Sequence, residues 1–194
     1  MKAIKKVNTK YYKYNYSSWT QPVLSSNGSI GVSDLAILEN VRNESNAYAT
    51  FNGTSNYIAS NWANIDFVIY SNNAINVTSI SLKNGGMYAT YGGIFYTSDD
   101  GVNWTQIGTF TQALSDSSYT SFSVNTSGYH NYYRILLNAA NTYSNGNRHV
   151  SCGGIKLTAT QRIITESSSG DYDFAKDMTT FRMIKGNNKY YAVL

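Results

Sequence analysis

The 194-residue chain holds a single cysteine, Cys152, and a single proline, Pro22. One cysteine excludes an intrachain disulfide framework and any multi-cysteine zinc site, and it reads as a small buried hydrophobe. No stretch approaches the ~20 apolar residues of a membrane-spanning helix, so membrane insertion is not expected. The opening Met1-Lys2-Ala3-Ile4-Lys5-Lys6 is basic but has no apolar run behind it. That pattern predicts a protein made and folded in a cytosol, without a secretory signal. Charge is sparse at 13% of residues, and acid is missing from both ends. Residues 1–14 carry five lysines, and 182–194 carry Arg182, Lys185 and Lys189. The span between them sets 7 basic residues against all 11 acidic ones, so the body is mildly acidic and the tails are basic. Such tails suit docking on an acidic partner, or they are strand edges kept soluble by lysine.

Catalytic patterns are missing as well. His130 and His149 lie far apart and in no metal-ligand spacing. There is no G-x-S-x-G elbow, phosphate loop or dinucleotide fingerprint. Asp99-Asp100 precedes Gly101 and reads as turn chemistry rather than as a carboxylate pair flanking a glycosidic bond. The chain is therefore not expected to be an enzyme, and no cofactor is implied. Lys10-Tyr11-Tyr12-Lys13-Tyr14 interleaves aromatics with lysines, as single-strand stacking platforms do. The acidic body opposes the charged groove such a platform needs, and no nucleic-acid partner is expected. The N-x-[ST] matches at Asn43, Asn52, Asn76, Asn103 and Asn125 are compositional in a chain this rich in Asn, Ser and Thr.

What is abundant is tyrosine, 18 residues of it, with Thr, Ser, Asn and Gly. Aromatic and β-branched residues fit pleated, half-buried surfaces, and they predict strands. Ile65, Phe67 and Ile69 alternate with Asp66 and Tyr70, a period of two that Val68 interrupts; Ile75 and Val77 precede Ile80 and Leu82 with a flip of parity at Thr78-Ser79, which predicts a bulge. Ile94–Ser98 and Val102–Ile107 flank Asp99-Asp100-Gly101, the strongest hairpin signal in the chain. Further strands are expected at Tyr119–Val124, Tyr132–Leu137, Ile155–Thr158 and Arg162–Thr165, and one short helical piece at Tyr172–Met178. Phe51 and Trp104 read as core. Many short strands with polar turns between them predict a sandwich or jelly roll.

Four segments, in order, resemble discoidin (coagulation-factor type C) domains. They are Ala49-Thr50-Phe51-Asn52-Gly53-Thr54-Ser55-Asn56 through Trp62, the hairpin Ser98-Asp99-Asp100-Gly101-Val102-Asn103-Trp104, the strand Tyr132-Tyr133-Arg134-Ile135, and the closing strand within Val150–Leu157. The resemblance implies an all-β, galactose-binding-like jelly-roll sandwich of about eight strands that binds glycans through loops at one end. It sets a jelly-roll domain at 17–160, a basic Tyr-rich strand extension at 1–16, and a C-terminal extension with a basic Tyr-rich end strand at 161–194. Some members of the family hold a structural calcium ion. Here Asn52 stands where the family's aspartate would, and Gly153 or Gly154 where the closing glutamate would, so no metal is expected.

The family's ligand loops correspond to Tyr57–Trp62 and 141–149. A sugar site needs an aromatic face and a few fixed donors and acceptors. The implied glycan-binding residues are Tyr57, Trp62, Tyr143, Asn145, Asn147, Arg148 and His149. Trp62 reads alternatively as core, and the second loop alternatively as a solvated surface. The whole chain also resembles, more loosely, short tail-fibre and adhesin-like proteins of bacterial viruses. The carriers are the opening Lys-Tyr-Tyr-Lys-Tyr run, Ser18–Gly28, and Lys189-Tyr190-Tyr191-Ala192-Val193-Leu194. That likeness implies a virion fibre, spike or decoration component made in the host cytoplasm, attaching to a cell-surface glycan. The alternatives are a purely structural virion module without glycan affinity and a non-viral bacterial carbohydrate-binding module.

Lys6-Val7-Asn8-Thr9-Lys10-Tyr11-Tyr12 echoes Lys185-Gly186-Asn187-Asn188-Lys189-Tyr190-Tyr191. The expectation is that 1–16 and 179–194 form strands holding the module to copies of itself or to other virion proteins. The competing expectation is that the two tails pair with each other as an edge hairpin.

Overall fold

The computed structural model describes residues 11–28, 35–40, 47–53, 58–60, 64–86, 90–139, 150–167, 182–186 and 189–193. For 11–13, 39–40, 58–60, 139, 165–167 and the last two stretches it describes the backbone only. The strands in chain order are β1 (Tyr11–Trp19), β2 (Leu35–Asn40), β3 (Ile58–Ser60), β4 (Asn64–Lys83), β5 (Thr90–Ser98) and β6 (Thr105–Phe110). They continue with β7 (Thr120–Ser123), β8 (His130–Ala139), β9 (Val150–Cys152), β10 (Gly154–Ser167), β11 (Arg182–Gly186) and β12 (Lys189–Val193). A single four-residue helix among the described residues, α1 (Ala49–Asn52), closes on Gly53 in the left-handed conformation. No helix of the described residues is long and apolar enough to cross a membrane.

The chain divides into two compact units, 14–163 and 1–13 with 164–194. In the larger unit β4 organises the fold. Its first half, 64–71, pairs with β2 on one side and β8 on the other. Its second half, 74–83, pairs with β10 and, at Ser79–Leu82, with β7. β5 and β6 extend the first sheet beyond β8, and β1 lies beside β10 in the second. Eight strands thus make two sheets, β2-β4-β8-β5-β6 and β1-β10-β4-β7, sharing one strand that turns a corner at 71–74. At that corner the Ser71 hydroxyl donates to the Asn73 carbonyl at 2.7 Å. The all-β sandwich expected from the pattern is the observed fold.

Alternation explains the core. Ile65, Phe67 and Ile69 of β4 point inward with Tyr133, Ile135 and Leu137 of β8, and face Ile75, Val77, Ile80, Leu82 and Ile155 of the second sheet. Each such burial stabilises the fold by about 1.5–3 kcal/mol. The expected bulge is present: Thr158 opposes Ser79 and Ala159 opposes Val77, leaving Thr78 unopposed. The extra residue turns Ile80 and Leu82 inward after Val77. Phe110 stacks on Phe122 at 4.4 Å, closing the gap between β6 and β7.

Three details differ from expectation. The strands expected at 65–70 and 75–82 are one strand, because β8 pairs on both sides of the corner, Tyr70 with Tyr132 and Ile75 with His130. Those expected at 155–158 and 162–165 are likewise continuous in β10, which runs through residue 160. Trp104 is half-buried rather than core, because the turn extends to it and β6 starts only at Thr105. Phe51 is buried as expected. The helical piece expected at 172–178 lies outside the described residues.

The described residues of the two echoing tail segments belong to different ladders. Tyr11-Tyr12 begin β1, in the sheet beside β10. Lys185-Gly186 and Lys189–Tyr191 belong to the antiparallel β11–β12 ladder, where Gly186 faces Lys189. Among the described residues β1 and β12 therefore do not pair with each other, since each finds its partner strand nearer in sequence or already in the sandwich.

Candidate functional site

One end of the sandwich gathers the loop-bearing strand ends. β3 pairs antiparallel with β9, and its last residue, Ser60, faces Val150. β4 begins at Asn64 opposite Asn138 of β8, and β5 begins at Thr90 opposite Ala139. The described ends of the segments around 61–63, 87–89 and 140–149 therefore meet at this one end.

A buried polar cluster fixes that end. Asn84, Thr90 and Ser151 are all buried. The Thr90 hydroxyl donates to the Ser151 carbonyl at 2.6 Å, bolting β5 to β9. The Asn84 amide oxygen accepts from Ser151 Oγ at 3.0 Å and from the Thr90 N–H at 3.2 Å. Its amide nitrogen donates to Asp116 at 2.6 Å, and the Gly85 N–H donates to Ser151 Oγ at 3.1 Å. Gly153 is required beside this hub, since a Cβ there would collide with the Asn84 backbone carbonyl. A satisfied buried network specifies one arrangement, which is what a loop platform needs.

At the rim the structure offers a residue that sequence reasoning missed. Thr90 faces Ala139 and Gly92 faces Asn138, so Tyr91 is an unopposed bulge residue. Its side chain is 49% exposed. A bulge re-aims the side chain it carries, and Tyr91 presents its exposed ring next to the pairs Thr90–Ala139 and Gly92–Asn138 at the end of β8. Among 18 tyrosines nothing local marks it; the signal is the register of the partner strand. The seven sequence-predicted residues, Tyr57, Trp62, Tyr143, Asn145, Asn147, Arg148 and His149, all lie outside the described residues. Ser60 and Val150, two residues from Trp62 and Arg148, are register partners.

No protein-family model matches the sequence, and no curated protein matches it. Solved structures do match its fold. It is similar to the C-terminal domain of a chitobiase from Bacteroides fragilis, with 18% identity, a TM-score of 0.53, and coverage of 66% of this chain and 95% of that one. A family 32 carbohydrate-binding module from a family 31 glycoside hydrolase of Clostridium perfringens matches with 18% identity, a TM-score of 0.52, and coverage of 64% and 90%. The family 32 carbohydrate-binding module of Streptococcus pneumoniae EndoD matches with 11% identity, a TM-score of 0.50, and coverage of 65% and 96%. The fold is the galactose-binding-like jelly roll.

Some galactose-binding-like jelly rolls hold calcium, and the residues present here do not fit it. Both ends of the Asn52 amide are taken by Leu24: Oδ1 accepts from its N–H at 2.8 Å, and Nδ2 donates to its carbonyl at 2.6 Å. An aspartate could make only the first of these bonds. Gly154 supplies no side chain, and a Cβ there would run into the Tyr119 hydroxyl. That hydroxyl also sits 3.3 Å from where a Gly53 Cβ would stand. It is buried without a hydrogen-bond partner, and burial pushes the phenol up from its ordinary range. Lys156 Nζ covers the ring at 4.1 Å. Among the described residues no group of three or more His, Cys, Asp or Glu converges.

The described carboxylates are engaged separately. Asp66 receives both Arg134 Nε contacts at 2.9 Å. Asp100 caps its own turn, accepting from the Val102 and Asn103 N–H groups at 2.8 Å each. Those bonds hold its carboxyl well below the usual carboxylate range. Asp99 points the other way, onto His130 Nδ1 at 2.7 Å. Asp116 lies on Asn84.

Proposed function

We propose that the chain is a glycan-binding jelly roll that acts without catalysis, gripping a saccharide at the end where β3, β5, β8 and β9 present their loops. One observation carries the reading: Ser60, within one of the segments bearing the candidate residues, and Val150, next to the other, are register partners, and the bulged Tyr91 adjoins Thr90, which bonds to Ser151. Tyr91 would stack on a ring's C–H face, with Tyr143, Asn145, Asn147, Arg148 and His149 supplying further stacking and hydrogen bonds. The separate engagement of Asp66, Asp99, Asp100 and Asp116 supports binding over hydrolysis, which needs two carboxyls flanking one bond. The similarity in fold to family 32 carbohydrate-binding modules supports the same ligand class.

A glycan array probed with the full chain tests this. Binding that falls on Tyr91→Ala, Tyr143→Ala and Arg148→Ala is the expected result; silence across a broad array would leave an interaction module without sugar affinity.

The setting we propose is a virion surface, with the module attaching a bacterial virus to its host. The basic, Tyr-rich ends and the tail-fibre-like style of the sequence support it. The modules it resembles in fold come from bacteria, which favours a second reading as a bacterial carbohydrate-binding module. Mass spectrometry of purified particles separates the two, since the virion reading requires the protein to be present in them.

A further inference from the structure

The outer face of the β1-β10-β4-β7 sheet carries an aromatic and cationic cluster far from the loop end. Trp19 of β1 points into the core, so by alternation Tyr14 and Tyr16 point out, where they are 52% and 61% exposed. Beside them on β10 stand Thr160 and Arg162, the latter opposite Ala74 at the corner of β4. The loop before β8 lays Tyr129 over this face. Its ring lies 5.2 Å from that of Tyr16, tilted by 47°, and its hydroxyl is 3.0 Å from Thr160 Oγ1. The Arg162 guanidinium lies against two rings, 5.3 Å from Tyr14 and 5.7 Å from Tyr129.

The arginine on the opposite outer face shows what is missing here. Arg134 also lies over a tyrosine, Tyr96, at 5.6 Å, and the chain supplies its carboxylate from Asp66. Arg162 has the rings but no carboxylate: among the described residues it has no hydrogen bond or ion pair, its Nε is buried without a partner, and its terminal nitrogens, which are not buried, are the part of the fork open to a ligand. A guanidinium is a rigid fork matched to a planar oxyanion, and burying a donor of it unpaired is costly. Two exposed tyrosines two residues apart on one strand face stand ~7 Å from each other, a spacing suited to successive ring faces.

We infer that this sheet face is a second saccharide site, one for a glycan bearing a carboxylate or a phosphate, with the anionic group on Arg162 and sugar rings on Tyr14 and Tyr16. The inference rests on the glycan-binding reading but uses a different surface and a different ligand chemistry. Charge favours it, since the Tyr11–Trp19 strand contains no acid. Stacking holds rings of many kinds, while the unpaired fork selects the anionic ones.

Isothermal titration of the full chain with an oligogalacturonate and with a glycerol-phosphate oligomer tests it and identifies which oxyanion is preferred. At least one should bind, and affinity should fall roughly tenfold in Arg162→Lys, which keeps the charge but loses the fork. Tyr16→Ala should weaken binding similarly, while Tyr91→Ala at the loop end should not. Tyr16 is exposed and its ring contact is with Tyr129, so that variant is expected to stay folded with at most a small drop in melting temperature, which keeps the test independent of folding. Absence of binding to both oligomers, or binding indifferent to Arg162→Lys and Tyr16→Ala, overturns the proposal. Tighter binding of an oligothymidylate through the same residues overturns it too, in favour of nucleic acid. Loss of neutral-glycan binding in Tyr91→Ala alone belongs to the loop-end site, so the two readings fail separately.

Discussion

Replacing Tyr133 by Phe removes one buried oxygen at the corner where β4 passes between the sheets. The hydroxyl donates to the Ile75 carbonyl and accepts from the Val77 N–H at 3.4 Å. The side chain is buried, and that burial pushes the phenol up to about 12 from 10.0. Two effects of opposite sign follow. Near pH 8 the variant loses a buried hydrogen bond and strands its acceptor, a cost of about 1–2 kcal/mol. For a domain of this size that lowers Tm by roughly 2–8 °C. Below pH 10 the phenol is neutral in both folded and unfolded chains and its titration costs nothing. Between pH 10 and 12 the unfolded chain ionises while the folded one keeps its proton, so the wild type loses stability as pH rises, by about 2–3 kcal/mol over the whole window. The Phe variant has no such group. Burial also pushes the Cys152 thiol up to about 12, but that group is common to both proteins and cancels in their difference. Urea unfolding of the pair at successive pH values should therefore show the wild type ahead at pH 8 and the two curves crossing near about pH 11. A difference that stays constant through that window, or no difference at pH 8, would refute the reasoning.

Gly153→Ala should destabilise by about 1–3 kcal/mol, since its Cβ meets backbone rather than a yielding side chain; thermal melting measures it, and an unchanged melt would mean the Asn84 hub is free to shift. Asn52→Asp should cost about 1–3 kcal/mol by stranding the Leu24 carbonyl beside a carboxylate. Added calcium should not restore the lost stability, and a calcium-dependent rise in melting temperature would contradict the fit drawn from Asn52, Gly154 and Tyr119. Cys152, fully buried with its thiol pushed up to about 12, should be silent to a thiol-specific reagent near pH 8 until denaturant is added.

The elements most legible in the sequence are those whose cause is local. Asp100-Gly101 supplies both the positive φ of 73° and the carboxylate that gathers the turn's N–H groups, so the hairpin follows from a few adjacent residues. The bulge at Thr78 is written in the parity of Val77 and Ile80. What local reading misses is long-range. Ser71-Asn72-Asn73 is a polar run that reads as the end of a strand, yet β4 continues because β8 pairs with it at Tyr70 before the corner and at Ile75 after it, where β10 joins. Trp104 reads as core from its aromatic bulk, but Asp100 holds Val102 and Asn103 in the turn and delays β6. Tyr91 is invisible for the same reason as the corner: its exposure comes from how β8 opposes Thr90 and Gly92.

The wealth of amides has a structural use. Gln21 donates to the carbonyls of Phe51 at 2.6 Å and Ile155 at 3.1 Å, and accepts from the Leu157 N–H at 2.7 Å. Asn27 accepts from Tyr48, Asn52 pairs with Leu24 in both directions, and Asn84 joins Ser151, Thr90 and Asp116. An amide carries a donor and an acceptor on one short stem, so a single side chain can terminate backbone groups of both kinds where no strand is available. A carboxylate or an ammonium offers only one kind and pays a larger desolvation cost when buried. Segments outside the ladders are thus tied to the sandwich by neutral groups, which lets the interior dispense with buried charge. The fixed charges then fall on the surface, where Arg134 is matched by Asp66 within the chain and Arg162 is not. Among the described residues the Tyr119 hydroxyl, His130 Nε2 and Arg162 Nε are the buried side-chain atoms left unpaired, and of these only Arg162 carries a fixed charge, which is what an anionic ligand would match.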